Sequence, residues 1–301
     1  MAIARRVFLF IAVNLLVVLT ISVTMSVLGI APYLSARGID YQSLAIFCLM
    51  WGMGGAFISL ALSRVLAKWM MRVQVIDPKK PGSTALARIH QKVQHFATMA
   101  NLPAMPEVGI YDSPEINAFA TGPTKSRALV AVSTGLLHSM NDEEVDGVIA
   151  HEVAHIANGD MVTMTLVQGV VNAFAMFLSR IAAWTISQGV REEMRGTVNL
   201  IATIAFDFLL SFLGSIGVAA FSRYREFRAD ADGARLAGRG KMIAALEALR
   251  RNADLRGRGE REEAPEAIAA FQISPTRNRV LSLFSTHPPL EVRIDRLRRA
   301  L

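Results

Sequence analysis

From Val7 to Ala31 the chain runs for 25 residues without a charge, and from Leu44 to Leu62 for 19 more. About 20 apolar residues in a helix cross a hydrocarbon core about 30 Å thick, so each run is long enough to span it. Lipid offers the backbone no hydrogen bonds, and a helix satisfies its own within the run. Arg5 and Arg6 precede the first run, as they would in a signal peptide. The run is longer than an h-region of about 7–15 residues and has no clear small-x-small cleavage site, so a retained anchor is expected.

Two later stretches are less uniform. Met161 to Ser179 is uncharged before Arg180 interrupts it, and Gly196 to Phe221 carries one charge, Asp207, near its middle. A bare charge at mid-bilayer is costly, so each needs a partner, a wet cavity or burial in protein. The two would satisfy one another across a second hairpin with spans at about 161–188 and 196–221, about four spans in all. Two buried helices of a soluble domain are the alternative. Lysine and arginine counts set the orientation. Arg5 and Arg6 lie before the first span, the loop after it holds only Arg37, and Arg64, Lys68, Arg72, Lys79 and Lys80 follow the second. Arg223, Arg225 and Arg228 follow the last apolar stretch. Both termini and the polar segments are therefore expected on the cytoplasmic side.

Composition agrees with a membrane chain: 52% of the 301 residues are hydrophobic, and the mean hydropathy is +0.35. Cys48 is the single cysteine, which excludes an intramolecular disulfide framework. The net charge of +7 is spread among acids with no aromatic-interleaved patch, so nucleic acid is excluded as a partner and the basic excess is assigned to the bilayer.

The division expected is a hairpin over 1–72, a soluble α/β segment over 73–160, a second apolar hairpin over 161–221 and a soluble remainder over 222–301. "STALARIHQKVQHFATMANL" has helical periodicity with Ser83 or Thr84 as N-cap. "PEVGIYDS", "INAFATG" and "RALVAVSTGLL" are short, turn-bounded and β-favouring. "NDEEVDGVIAHEVAHIANGD" is a helix capped at Asn141 or Asp142. "SRYREFRADADGARLAG" is another, and "LRGRGEREEAP" has the composition of a surface loop.

The chemistry lies in "HEVAH". Residues i and i+4 share a helical face, so His151 and His155 can hold one metal ion, with Glu152 offset to reach an activated water as general base. A catalytic zinc takes three protein ligands and keeps one position open. "YREFRAD" offers Glu226 as the third, with Asp230 placed to accept from the outer nitrogen of a ligating histidine. The bland readings are two ordinary helix histidines, and a carboxylate pair bridged to neighbouring arginines. Asp160 is expected to pair with a base or end its helix, and His90, His95 and His138 have no spaced partner.

"HEVAH", then "SRYREFRADADGA" beyond two apolar stretches, with "INAFATG" before and "STHPPLEVRIDRL" after, resembles the membrane-bound zinc metalloproteases of peptidase family M48, in particular the HtpX-type group of bacterial inner membranes. The resemblance covers nearly the whole chain. It implies an α+β, zincin-like (gluzincin) fold, mostly helical with a small sheet, added to about four transmembrane helices. It implies one Zn2+ on His151, His155 and Glu226, Glu152 as base, and an endopeptidase of the cytoplasmic face of the inner membrane, working in membrane-protein quality control and stress. The partners it implies are polypeptide substrates, with the lipid bilayer around them. Asn117, Ala118 and Phe119 are expected at a sheet edge that a substrate strand would extend. His287 before two prolines is a candidate for an oxyanion-stabilising or regulatory role, or simply a turn cap, and Arg293 for support of that region. A non-catalytic scaffold would be marked by loss of Glu152 or a ligand, and all are present. A hydrolase of small peptides or lipid amides is set apart only by the edge-strand motif and the resemblance.

Overall fold

The computed structural model describes residues 34–35, 38–80, 82–262 and 287–299. The expected span over residues 7–31 lies outside them. The chain divides into two compact units, residues 1–47 and 48–301. In the first, β1 (Leu34–Ser35) pairs antiparallel with β2 (Gly38–Ile39), and helix α1 (Tyr41–Met70) begins on Asp40. The Asp40 carboxylate accepts from the Gln42 and Ser43 N–H groups at 3.0 and 3.2 Å, satisfying two donors that the helix start leaves free.

The second unit holds a four-stranded sheet, ordered β3-β4-β6-β5. Its strands are β3 (Gln74–Val75), β4 (Glu107–Tyr111), β5 (Ala118–Thr121) and β6 (Leu129–Ser133). β4 and β6 run parallel and the other pairs antiparallel, which leaves β5 at an edge. β6 is buried throughout, so it reads as the unbroken apolar run Leu129–Val132. Val108, Val130 and Val132 join the main core with α2 (Thr84–Met99) and α4 (Asp142–Asn158). Tyr111, Leu129 and Ala131 form a smaller cluster with Phe119. Ser83 caps α2 by accepting from Leu86 N–H. A short α3 (Thr134–Ser139) leads to α4, which starts on a capping box: Asn141 accepts from Glu144 N–H while Glu144 accepts from Asn141 N–H, each at 3.0 Å. Gly147 lets α4 press against α7 (Arg239–Glu262), where a Cβ would stand 2.5 Å from the Lys241 carbonyl oxygen.

Among the described residues three helices are long and apolar enough to cross a membrane: α1 with 30 residues, α5 (Asp160–Gln188) with 29 and α6 (Glu192–Ala237) with 46. They expose Phe57, Ile58, Phe174, Ile201 and Phe208, the surface a lipid-facing helix presents. Small residues allow close approach between them: a Cβ on Gly52 would meet the Ala173 backbone at 2.6 Å, and one on Gly169 would meet the Met53 sulfur at 2.7 Å. Arg180 and Asp207 do face one another, Nη1 to Oδ1 at 3.4 Å, and Ser179 Oγ donates to the Thr203 carbonyl at 3.0 Å.

Two findings depart from the sequence pattern. α6 is a single helix from the second apolar stretch through Glu226 and Asp230, about 69 Å long at 1.5 Å per residue. No glycine or proline lies between Val218 and Gly233 to end it. The expected loop after Leu255 is helical as far as Glu262. Its arginines and glutamates are strong helix formers, and the glycines among them cost only about 1 kcal/mol each. The chain closes with α8 (Leu290–Arg299), which buries Arg293, Ile294 and Leu297.

Candidate active site

α4 and α6 meet in the body of the second unit. Gly233 on α6 lies against the backbone of His151, close enough that a Cβ would stand 3.2 Å from the His151 nitrogen. On α4, His151 and His155 are one turn apart with their Nε2 atoms 3.1 Å from each other. Glu226 of α6 enters from the side, with Oε2 3.5 Å from His151 Nε2 and Oε1 3.4 Å from His155 Nε2. It is 1% exposed, a position a carboxylate occupies only with positive charge around it. Among the described residues these three form the one group whose donor atoms all lie within 4.8 Å of one another.

The donor set fits a metal ion. Tetrahedral zinc with nitrogens at about 2.0–2.1 Å sets neighbouring ligand atoms about 3.3 Å apart, close to the 3.1, 3.4 and 3.5 Å found here. Each histidine presents Nδ1 to an aspartate, which keeps the proton there and turns the Nε2 lone pair inward. His155 Nδ1 donates to Asp160 at 2.6 Å. His151 Nδ1 lies 3.1 Å from Asp230 Oδ1, off the line of a hydrogen bond. Arg293 from α8 grips Asp230 with two bonds, Nε to Oδ2 at 2.8 Å and Nη2 to Oδ1 at 2.6 Å. The Oε2 of Glu226 is buried without an aligned donor. His287 Nδ1 stands 2.9 Å from it, also out of line, and that contact is electrostatic.

The field of the site favours positive charge. Burial alone would lower the pKa of His155, but the hydrogen bonds to Asp160 and Glu226 outweigh it and push the pKa up to about 9. His151 is raised too, burial losing to the adjacent carboxylates of Asp230 and then Glu226. Burial would raise Glu226, yet His151, His155 and His287 hold its carboxyl far below the ordinary range. Glu152 is half-buried on α4, and its charge is felt at His155 and Arg293.

β5 packs beside α4 at the sheet edge, with Ala118 and Ala120 turned to the core that α4 shares and Phe119 to the other face against Tyr111, ring centres 5.6 Å apart. Asn117 precedes the strand, its N–H donating to Ser133 Oγ. The structure thus brings His151, His155, Glu226, Asp230, His287 and Arg293 together, and sets Asn117, Ala118 and Phe119 at an edge. The sequence pattern missed the bond between His155 and Asp160. Asp160 does pair with bases, at 3.9 Å from Arg225 and 3.7 Å from Arg228, but its shortest contact is with His155. Its position five residues after His155, past the glycine that ends α4, was the available signal: a chain that turns there can bring an acid back beside the ring.

Residues 84–301 match the model of peptidase family M48. The chain belongs to peptidase family M48. Across 300 residues it is 51% identical to a protein named "Protease HtpX homolog" from Bacillus subtilis (strain 168), covering 98% of this chain and 99% of that one. With a protein of the same name from Thiobacillus denitrificans it shares 50% over 297 residues, again 98% and 99% of the two chains. Among solved structures, the crystal structure of S. mikatae Ste24p superposes with a TM-score of 0.60 at 15% identity. The match covers 95% of this chain but 62% of that one, and bears on the fold alone. An M48 metalloprotease with three membrane-length helices among its described residues is a membrane metalloprotease. Its mostly helical fold with a small sheet is the α+β, gluzincin-like class that the motifs implied.

Proposed function

We propose that this M48 peptidase is a zinc endopeptidase of the bacterial inner membrane that cleaves misfolded or damaged membrane proteins at the cytoplasmic face, as part of a stress response. The convergence of His151, His155 and Glu226 at the roots of α5 and α6 carries this reading. In it, those three residues hold one Zn2+, and Glu152 is the general base. When bound, the ion supplies a Lewis acid that polarises a scissile carbonyl and acidifies water. Glu152 takes the proton of the attacking water and passes it to the leaving amine. Asp160 and Asp230 keep the two imidazoles oriented, and Arg293 holds Asp230. The exposed imidazole of His287, within 2.9 Å of Glu226, is assigned an oxyanion-stabilising or regulatory role. An extended substrate adds to β5 beside Asn117, Ala118 and Phe119 through main-chain hydrogen bonds.

The cytoplasmic placement rests on Arg64, Lys68 and Arg72 at the end of α1 and just beyond it, and on Arg223, Arg225 and Arg228 along α6, basic clusters that stay on the inner side. The inner-membrane setting and the substrate class rest on the resemblance of the motifs to the HtpX-type group and on the membrane helices that enter the site. The proposed division is a membrane hairpin over 1–72, peptidase segments over 73–160 and 222–301, and a second hairpin over 161–221. The test is Glu152→Gln in the full chain. It is expected to keep one zinc per chain, lose cleavage, and accumulate uncut membrane proteins in cells. Undiminished cleavage by that variant would remove Glu152 from its role.

A further inference from the structure

α5 and α6 lie side by side, and two sets of charges join them. At the site end, Asp160 on α5 faces Arg225 and Arg228 on α6 at 3.9 and 3.7 Å. Within the apolar stretch, Arg180 on α5 faces Asp207 on α6 at 3.4 Å. The signs are opposite in the two rungs. Twenty residues separate Asp160 from Arg180 along α5, and eighteen and twenty-one separate Asp207 from Arg225 and Arg228 along α6. At 1.5 Å per residue the α5 arm is about 30 Å, and the two α6 distances, about 27 and 32 Å, lie on either side of it. Between the rungs the helices touch closely, since a Cβ on Gly214 would meet Val171 Cγ1 at 2.5 Å. A slip by one turn, about 5.4 Å, would separate both rungs together and leave two charges in lipid without their partner. The same slip would draw Asp160 away from the level of Glu226.

We propose that the Arg180–Asp207 pair is a positioning device for the metal site: it sets the register of α5 on α6, and so holds Asp160 against His155 where Glu226 completes the ligand set. This rests on the reading of His151, His155 and Glu226 as metal ligands. A buried polar pair adds little net stability but can select one register among several that packing alone would allow. Rigid helices then carry the choice along both arms to the site. The pair touches neither substrate nor metal and acts only through Asp160.

The experiment titrates Co2+ into the full-length, metal-stripped protein in lipid nanodiscs, reading the visible absorption that reports donor geometry. Arg180→Leu/Asp207→Leu is expected to keep its helix content and its metal-free thermal midpoint, yet to bind Co2+ about tenfold more weakly with an altered band, the loss typical of a disturbed outer-shell partner. The charge exchange Arg180→Asp/Asp207→Arg is expected to return the affinity to within about threefold and to restore the band. Unchanged affinity and band in the leucine pair would overturn the proposal, as would a folded charge exchange that restores neither. A wild-type chain that binds no Co2+ would instead overturn the metal reading itself, and the proposal with it.

Discussion

The two helices that bear the proposed ligands reach the membrane by different routes. α6 runs without a break from its apolar stretch to Glu226 and Asp230. α4 stops at Gly159, whose φ of 70° turns the chain before α5 begins at Asp160. The turned end is fastened: Lys125 Nζ donates to the Ala157 carbonyl at 2.5 Å and Arg228 Nη2 to the Asn158 carbonyl at 3.2 Å, cations where the helix dipole is negative. Glu226 is thus placed by a membrane helix, whereas His151 and His155 are placed by the sheet and α7. The site forms where a membrane-borne part meets a domain-borne part, and Asp160 is the stitch between them.

Breaking the straight route is expected to do the most damage. Ser222→Pro would remove a helix hydrogen bond between the apolar stretch and Glu226 and clash with the preceding turn, costing about 3 kcal/mol or more. Full-length protein carrying it should retain α4 and the sheet but lose bound zinc, read by metal analysis after gel filtration. Zinc at wild-type stoichiometry would show that Glu226 does not depend on the continuity of α6. Loosening the stitch comes next. Asp160→Asn, which keeps the size but weakens the acceptor, should lower zinc affinity about 10–100-fold, and chelator competition measures it. Altering the bent route should matter less: Gly159→Ala puts a side chain into left-handed backbone for about 1–2 kcal/mol. Its Cβ would meet only the flexible Lys125 Cε, at 3.3 Å. The thermal midpoint should fall with zinc still bound.

Sequence periodicity made one of these routes legible and hid part of the other. The α4 route was marked by residues with local meanings: Asn141 or Asp142 as the cap, and HEVAH at i and i+4. The three strands of "PEVGIYDS", "INAFATG" and "RALVAVSTGLL" were marked likewise by turns and β-branched runs. On α6 a change in composition at Ser222–Arg223 looked like a boundary between span and ligand helix, although backbone geometry has no reason to break there. Composition reports the surrounding solvent, while helix ends are set by caps, glycine and proline. The bond from His155 to Asp160 escaped for a related reason. The two residues are close in sequence but meet only after a left-handed turn, and helical spacing rules do not extend across such a turn.

The domain-borne side can be tested by itself at Asp146, on the face of α4 away from the ligands. Lys92 of α2 pairs with Asp146 Oδ1, and Lys241 of α7 donates to Oδ2 at 2.6 Å, so one carboxylate ties three helices. Lys92 also donates to the Asp142 carbonyl at 3.0 Å, while the exposed Asp142 carboxylate lies 3.8 Å away. Burial would raise the pKa of Asp146, but hydrogen bonds from Lys241 and then Lys92 outweigh it and hold the carboxyl below its ordinary 3.8. A carboxyl depressed in the folded state stabilises the protein above its unfolded pKa, and that contribution fades as pH falls through the folded value. Asp146→Asn should therefore cost about 1 kcal/mol near neutrality, a modest figure because Lys241 is partly exposed. The gap in thermal midpoint between wild type and variant should hold from pH 7 to about 5, narrow below about 4, and close in stronger acid. A gap unchanged at low pH would mean that packing, rather than the two lysines, is what Asp146 contributes to holding α4.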